Sequence, residues 1–233
     1  MSKFNDTIKD WYKIAGTQAS GAMKPDKNYH KHFIKPRAMI SIIGSTGAGK
    51  TTALLEFLHR KNDAFYEIII FSGSTTDEPL YNLLKEHIDG IKMIDSVEDL
   101  PELLDTDPTA KNKEKLIVFD DIINLPKKDI IKIQKWFNSA RKWGFSCVAM
   151  AQNYTNLSIQ IRRNSMYFLV FRLNDINSIN QIIKNHNNNG DDPALVKRLY
   201  FQATAKKGDF FILDLTSDDE KRYRHNFTDF LTI

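Results

Sequence analysis

The sequence predicts an α/β fold in which a mostly parallel central sheet carries helices on both faces. Three observations predict it. Short runs rich in Ile, Val and Phe alternate with segments of helical periodicity. Most of these runs are continuously apolar, as strands covered on both faces must be. One strand-to-helix junction is a glycine-rich turn, Gly44-Ser45-Thr46-Gly47-Ala48-Gly49-Lys50-Thr51.

In chain order, strands are expected at 38–43, 67–71, 115–119, 145–151, 166–171 and 210–213. Helical patterns fall between them at 50–60, 79–87, 127–142, 175–185 and 193–201. The Asn-, Gly- and Asp-rich cluster 187–192 reads as a mobile turn between the last two helices. Ahead of the first strand, residues 1–36 read as a basic arm or appendage, with a short amphipathic helix around 4–14. Residues 37–233 read as the single P-loop domain. The arm holds Lys3, Lys9, Lys13, Lys24, Lys27, Lys31 and Lys35 against Asp6, Asp10 and Asp26. With Arg37 it therefore carries all of the excess behind the net charge of +4. Such an arm is equally a solvated tail or a nucleic-acid contact.

Composition narrows the class. At 233 residues, 42% hydrophobic and 27% charged, the chain has the make-up of an ordinary globular domain. No apolar run approaches the roughly 18 residues of a membrane span, and the N-terminus lacks a signal peptide's apolar core. The expectation is an intracellular protein without a membrane partner. The single cysteine, Cys147, lies in an apolar run and reads as a core residue.

The glycine-rich turn carries the first chemistry. Glycines let the backbone turn tightly so that successive N–H groups point inward, and the following helix adds its positive end. In that pattern Lys50 can pair with β- and γ-phosphates, and the Thr51 hydroxyl can ligate Mg²⁺. The whole segment from Gly44 to Thr52 is thus the candidate nucleotide site, with ATP and Mg²⁺ as its ligands. Downstream, the apolar run Leu116–Phe119 ends in Asp120-Asp121, the Walker B arrangement. An apolar strand would deliver Asp120 beside the loop to hold Mg²⁺, and would place Asp121 to orient the attacking water. Taken alone, an Asp pair after a strand is a common turn.

A further apolar run ends in Gln152-Asn153, and Gln152 can sense a γ-phosphate if its strand neighbours the Walker B strand. Arg141 and the pair Arg162-Arg163 follow the acidic pair in sequence. In a ring, such arginines can reach across a subunit boundary to a neighbour's γ-phosphate. Each is also an ordinary helix-end or surface charge.

These residues resemble the viral genome-packaging ATPases of the FtsK–HerA superfamily, of the poxvirus, giant-virus and virophage type. The likeness rests on the glycine-rich loop, on Phe119-Asp120-Asp121, on Ser139-Ala140-Arg141-Lys142-Trp143-Gly144-Phe145 and on Ala151-Gln152. It extends through Ile161–Asn164 and the late run Lys207–Leu215. The resemblance implies a RecA-like or FtsK–HerA-like P-loop fold. It also implies a homo-oligomeric ring, often hexameric, that drives double-stranded DNA into a capsid at its portal vertex. The implied setting is the host cytoplasm at the assembly site, or the virion itself. Lys50, Asp121 and Gln152 are then the expected catalytic residues, with Arg141 the first and Arg163 the second choice for a trans-acting arginine. The rival reading is a P-loop kinase for a nucleotide or other small molecule, in which Arg162-Arg163 would belong to a lid. The strand ending in Gln152 speaks against that rival.

Overall fold

The computed structural model describes residues 23–62, 64–73, 79–87, 90–103, 113–187, 189–217 and 219–233. The expected amphipathic segment at 4–14 lies outside them. Nine strands form one sheet among the described residues: β1 (Met39–Ile43), β2 (Glu67–Ser72), β3 (Ile91–Ile94), β4 (Lys115–Asp120), β5 (Phe145–Ala151), β6 (Tyr167–Phe171), β7 (Phe210–Asp214), β8 (Tyr223–His225) and β9 (Asp229–Leu231). Their order is β3-β2-β4-β5-β1-β6-β7-β8-β9. The first six in that order pair in parallel, and β7 to β9 add antiparallel. The expected mixed α/β architecture is present.

Alternate residues of the continuous apolar strands feed two cores, one on each face. Ile40, Ile42, Ile70, Val118, Met150 and Leu169 pack with α1 (Lys50–Lys61) and α2 (Pro79–His87). Ile43, Phe71, Phe119, Ala149 and Val170 pack with α3 (Lys127–Ser139), α4 (Ile159–Asn164), α5 (Ile176–His186) and α6 (Pro193–Ala203). Cys147 is fully buried in this second core. No described helix is long and apolar enough to cross a membrane.

Several local expectations change. The helix expected over 127–142 ends at Ser139. The chain then tightens into a 3-10 turn, Ala140–Trp143, closed by Gly144 at φ 87°. A left-handed glycine is the usual way to stop such a segment, and it sets up β5. Short β3, β8 and β9 were not expected, because each is only 3–4 residues long with little apolar periodicity. The described part of the 187–192 turn, expected as a mobile loop, carries several hydrogen bonds. Asn187 and Asp191 exchange hydrogen bonds, the Tyr223 hydroxyl donates to Asp191 at 2.6 Å, and Asp192 caps α6.

Residues 23–36 of the stretch read as an arm lie against the domain. Ile34 joins the α1-side core, and His32 is fully buried. Beneath the N-terminal ends of the strands, Lys61 at the end of α1 pairs with Glu114 at 2.6 Å and with Asp26 at 3.3 Å. Ser146 donates to the other Glu114 oxygen at 3.0 Å, and His32 Nε2 donates to Asp26 at 3.2 Å. His32 Nδ1 accepts the Ile34 amide, which fixes a neutral ring. Burial lowers the His32 pKa to about 4, in agreement with that tautomer.

Candidate nucleotide site

β1 is fully buried and ends at Ile43, so the chain leaves the sheet directly into the glycine-rich loop. Two positions there need glycine. A Cβ on Gly44 would come within 2.8 Å of the Phe171 Cβ, and Gly49, the N-cap of α1, has φ 107°. The cap has no side-chain hydrogen bond, so the first-turn amides and the positive end of α1 face the loop. Lys50 folds back over it, donating to the Gly44 carbonyl at 2.8 Å and the Ser45 carbonyl at 3.2 Å. Burial lowers the Lys50 pKa, while Asp120 and Asp121 pull it back up.

β4 brings Asp120 to the same end of the sheet. Its carboxylate accepts the Tyr81 hydroxyl at 2.7 Å. Burial pushes the Asp120 pKa up, and the Tyr81 hydrogen bond and the Lys50 charge only partly offset it. Such a group gains from a nearby cation. Asp121 turns away from the sheet with φ 51°, a conformation Asp tolerates better than most residues. The turn brings its carbonyl against Gly73, where any Cβ would collide with it. The Gly73 amide donates to the Asp120 carbonyl at 3.0 Å.

Strand order decides the position of Gln152. β5 lies between β4 and β1, and the Gly44 amide donates to the Ala151 carbonyl at 3.0 Å. Gln152 therefore emerges between the loop and the acidic pair, exposed to solvent. Thr46, Lys50, Thr51, Asp120, Asp121 and Gln152 line one cleft. Gly44 and Gly49 shape the loop from beneath, Ser45 and Ala48 face a second cavity, and Thr52 is exposed on the first turn of α1. The donor set suits a triphosphate with Mg²⁺: amides and an ammonium for the phosphates, and the Thr51 hydroxyl with the Asp120 carboxylate for a hard cation.

The arginines stand elsewhere. Arg141 is exposed in the turn before β5, and the seven residues of β5 span roughly 20 Å. It is thus at the sheet edge opposite Gln152. Arg163 is exposed on α4, next to Asn164, whose side chain donates to Asn138 near the end of α3. Neither these two nor Arg162 lines the cleft. Arg162 lies over the Tyr154 ring at 4.7 Å, so the pair does not serve as a lid over this subunit's loop.

Two contributors to the cleft, and one neighbour of Arg141, escaped the sequence reading. Tyr81 sits in an ordinary helical pattern and is itself a core residue, 3% exposed. Gly73 follows β2 with no motif around it. Arg37 precedes β1 and lies close enough to Arg141 to disfavour its own charge, although burial is the larger cause.

The family model described as Poxvirus A32 protein matches residues 27–229. The chain belongs to the poxvirus A32 protein family. Among solved structures, this A32-family chain is similar to the genome packaging NTPase B204 of Sulfolobus turreted icosahedral virus 2. The complex with AMP gives a TM-score of 0.59 at 13% identity, and that with AMPPCP gives 0.57 at 14%. Both alignments cover 86% of this chain and 100% of B204. B204 described as the DNA-packaging ATPase of Sulfolobus turreted icosahedral virus gives 0.55 at 14% identity, over 85% of this chain and 98% of that one. At these identities the likeness shows the fold. No curated protein matches the sequence.

Proposed function

We propose that this chain is an ATP-hydrolysing motor that moves double-stranded DNA during viral genome packaging. The observation that carries the reading is the convergence of Lys50, Thr51, Asp120, Asp121 and Gln152 on one cleft, in a chain of the A32 family. The fold-relatives named as packaging NTPases, with AMPPCP and ATP-gammaS complexes among them, support it.

In this reading the loop amides, the α1 N-terminus and Lys50 hold the phosphate chain and offset its charge. Mg²⁺, held by Thr51 and Asp120, would neutralise charge on the β- and γ-phosphates. Tyr81 keeps the Asp120 carboxylate in place. Asp121, turned into the cleft mouth by its left-handed backbone, polarises the attacking water. Gln152 reports whether the γ-phosphate is present. Arg141 cannot reach this subunit's own cleft, so it acts on the cleft of a second copy. That assignment requires a closed ring, for which a hexamer at the capsid portal is the expected form. Arg163, on the same side, is the second candidate.

The test is a DNA-stimulated hydrolysis assay on the full chain. Phosphate release that needs no small acceptor and rises with duplex DNA supports the motor. Phosphoryl transfer to a nucleoside or nucleotide would replace it with the kinase reading.

A further inference from the structure

A second cavity opens on the other side of the same loop. Ser45, Thr46, Gly47 and Ala48 wall it, and its far side is built by Arg172, Phe201, Thr204, Lys206 and Lys207. Thr46 and Gly47 belong to both cavities, so the loop is a partition between them. The first cavity holds Asp120, Asp121 and Gln152. A triphosphate lying along the loop has two unlike ends. If its terminal phosphate faces the acidic pair, its nucleoside must leave on the opposite side, into the second cavity.

The walls there suit a flat heterocycle. The Arg172 guanidinium lies 4.4 Å from the centre of the Phe201 ring. Its Nη1 also donates to the Phe201 carbonyl and the Thr204 hydroxyl, both at 3.4 Å, which ties the guanidinium to the end of α6. Arg172 is exposed. A planar guanidinium backed by an aromatic ring offers a stacking face to a nucleobase. The turn that follows α6 brings Lys206 and Lys207 alongside, and its Gly208 adopts φ 92°. The Gly208 Cα lies only 3.7 Å from where a Cβ on Gly49 would stand. The turn therefore meets the loop at the α1 N-terminus, where an α-phosphate or ribose would pass.

We propose that this second cavity is the nucleoside subsite, with the base stacked on the Arg172–Phe201 pair. The proposal rests on the reading of the glycine-rich loop as a nucleoside-triphosphate site. It adds residues far from the acidic pair that govern affinity and leave the chemistry alone.

The experiment compares two ligands by titration calorimetry on the full chain. One is a non-hydrolysable ATP analogue, and the other is inorganic tripolyphosphate, which has phosphates but no nucleoside. Stacking on a side chain is worth about 1–3 kcal/mol, and 1.4 kcal/mol is a factor of ten. Arg172→Ala is therefore expected to weaken the analogue about fivefold or more while tripolyphosphate changes less than twofold. Phe201→Leu should weaken the analogue likewise, and Phe201→Tyr should restore it. Equal losses for both ligands, or no loss for either, would overturn the proposal. If Lys50→Ala abolishes binding of both ligands while Arg172→Ala and Phe201→Leu alter neither, the nucleotide site stands and only the subsite falls. If the unaltered chain binds neither ligand, the nucleotide reading falls and the subsite with it.

Discussion

At the N-terminal edge of the sheet, Lys61, Glu114, Asp26 and His32 satisfy one another out of water. At the C-terminal edge, Lys50, Asp120 and Asp121 face an open cleft. Both edges bring cationic and acidic side chains together, yet with opposite electrostatic outcomes. Burial at the closed edge is matched by direct partners at 2.6 to 3.3 Å. At the open edge burial raises the Asp120 pKa and lowers that of Lys50, so each charge is held in spite of its surroundings. The closed edge is built for stability, and the open edge is left with charge for a ligand to complete. Arg141 stands out because it lies at the closed edge but remains exposed.

Substitutions at the two edges should separate these roles. The largest effect is expected from Lys61→Ala, which leaves the buried Glu114 and the partly exposed Asp26 without their cation. It should cost about 3–5 kcal/mol in denaturant unfolding, and a loss under about 1 kcal/mol would mean that the edge is not closed. Next, Lys50→Ala should reduce hydrolysis at least roughly a hundredfold with a melting temperature near that of the unaltered chain. A coupled loss of stability would erase the contrast between the edges.

Asp120→Asn should act with the opposite sign on stability. Because the folded-state pKa of Asp120 lies above its ordinary 3.8, the folded chain binds that proton more tightly than the unfolded chain. Ionising it therefore costs stability as pH rises from 3.8 through the raised folded-state value, and the full cost persists unchanged above it. Removing the charge should abolish hydrolysis and yet stabilise the protein at neutral pH by about 0.5–2 kcal/mol. Destabilisation would show that Asp120 belongs with the structural charges. The smallest effect is expected from Tyr81→Phe. Its hydroxyl holds the Asp120 pKa down, so its loss should move the low-pH limb of the hydrolysis profile upward. An unmoved limb would sever Tyr81 from the site.

The open edge was largely legible in the sequence and the closed edge was not. The glycine-rich loop, the strand ending in Asp120-Asp121 and the strand ending in Gln152 are local patterns, since residue type and spacing carry the chemistry within a few positions. What places Gln152 between them is the insertion of β5 between β1 and β4, which no local pattern states. Tyr81 reaches Asp120 across 39 positions, and Lys61 reaches Glu114 across 53. Neither has a nearby residue that announces its partner. The N-terminal stretch read as an arm because its composition is basic, but His32 and Ile34 are fixed by contacts with α1 and the sheet that only folding brings about. The antiparallel β8 and β9 were hidden for a related reason, as they have three residues each.

We propose that the open edge of one copy is completed by Arg141 from the closed edge of another. Mixing two inactive variants, Arg141→Ala and Asp121→Asn, tests this most directly. In a mixed assembly some interfaces pair an intact cleft with an intact arginine, so DNA-stimulated phosphate release should reappear although each variant alone is inactive. An Arg141→Ala variant that binds ATP but hydrolyses it poorly, rescued on mixing, is the expected result. Full activity of Arg141→Ala alone, or no recovery at any mixing ratio, would contradict it.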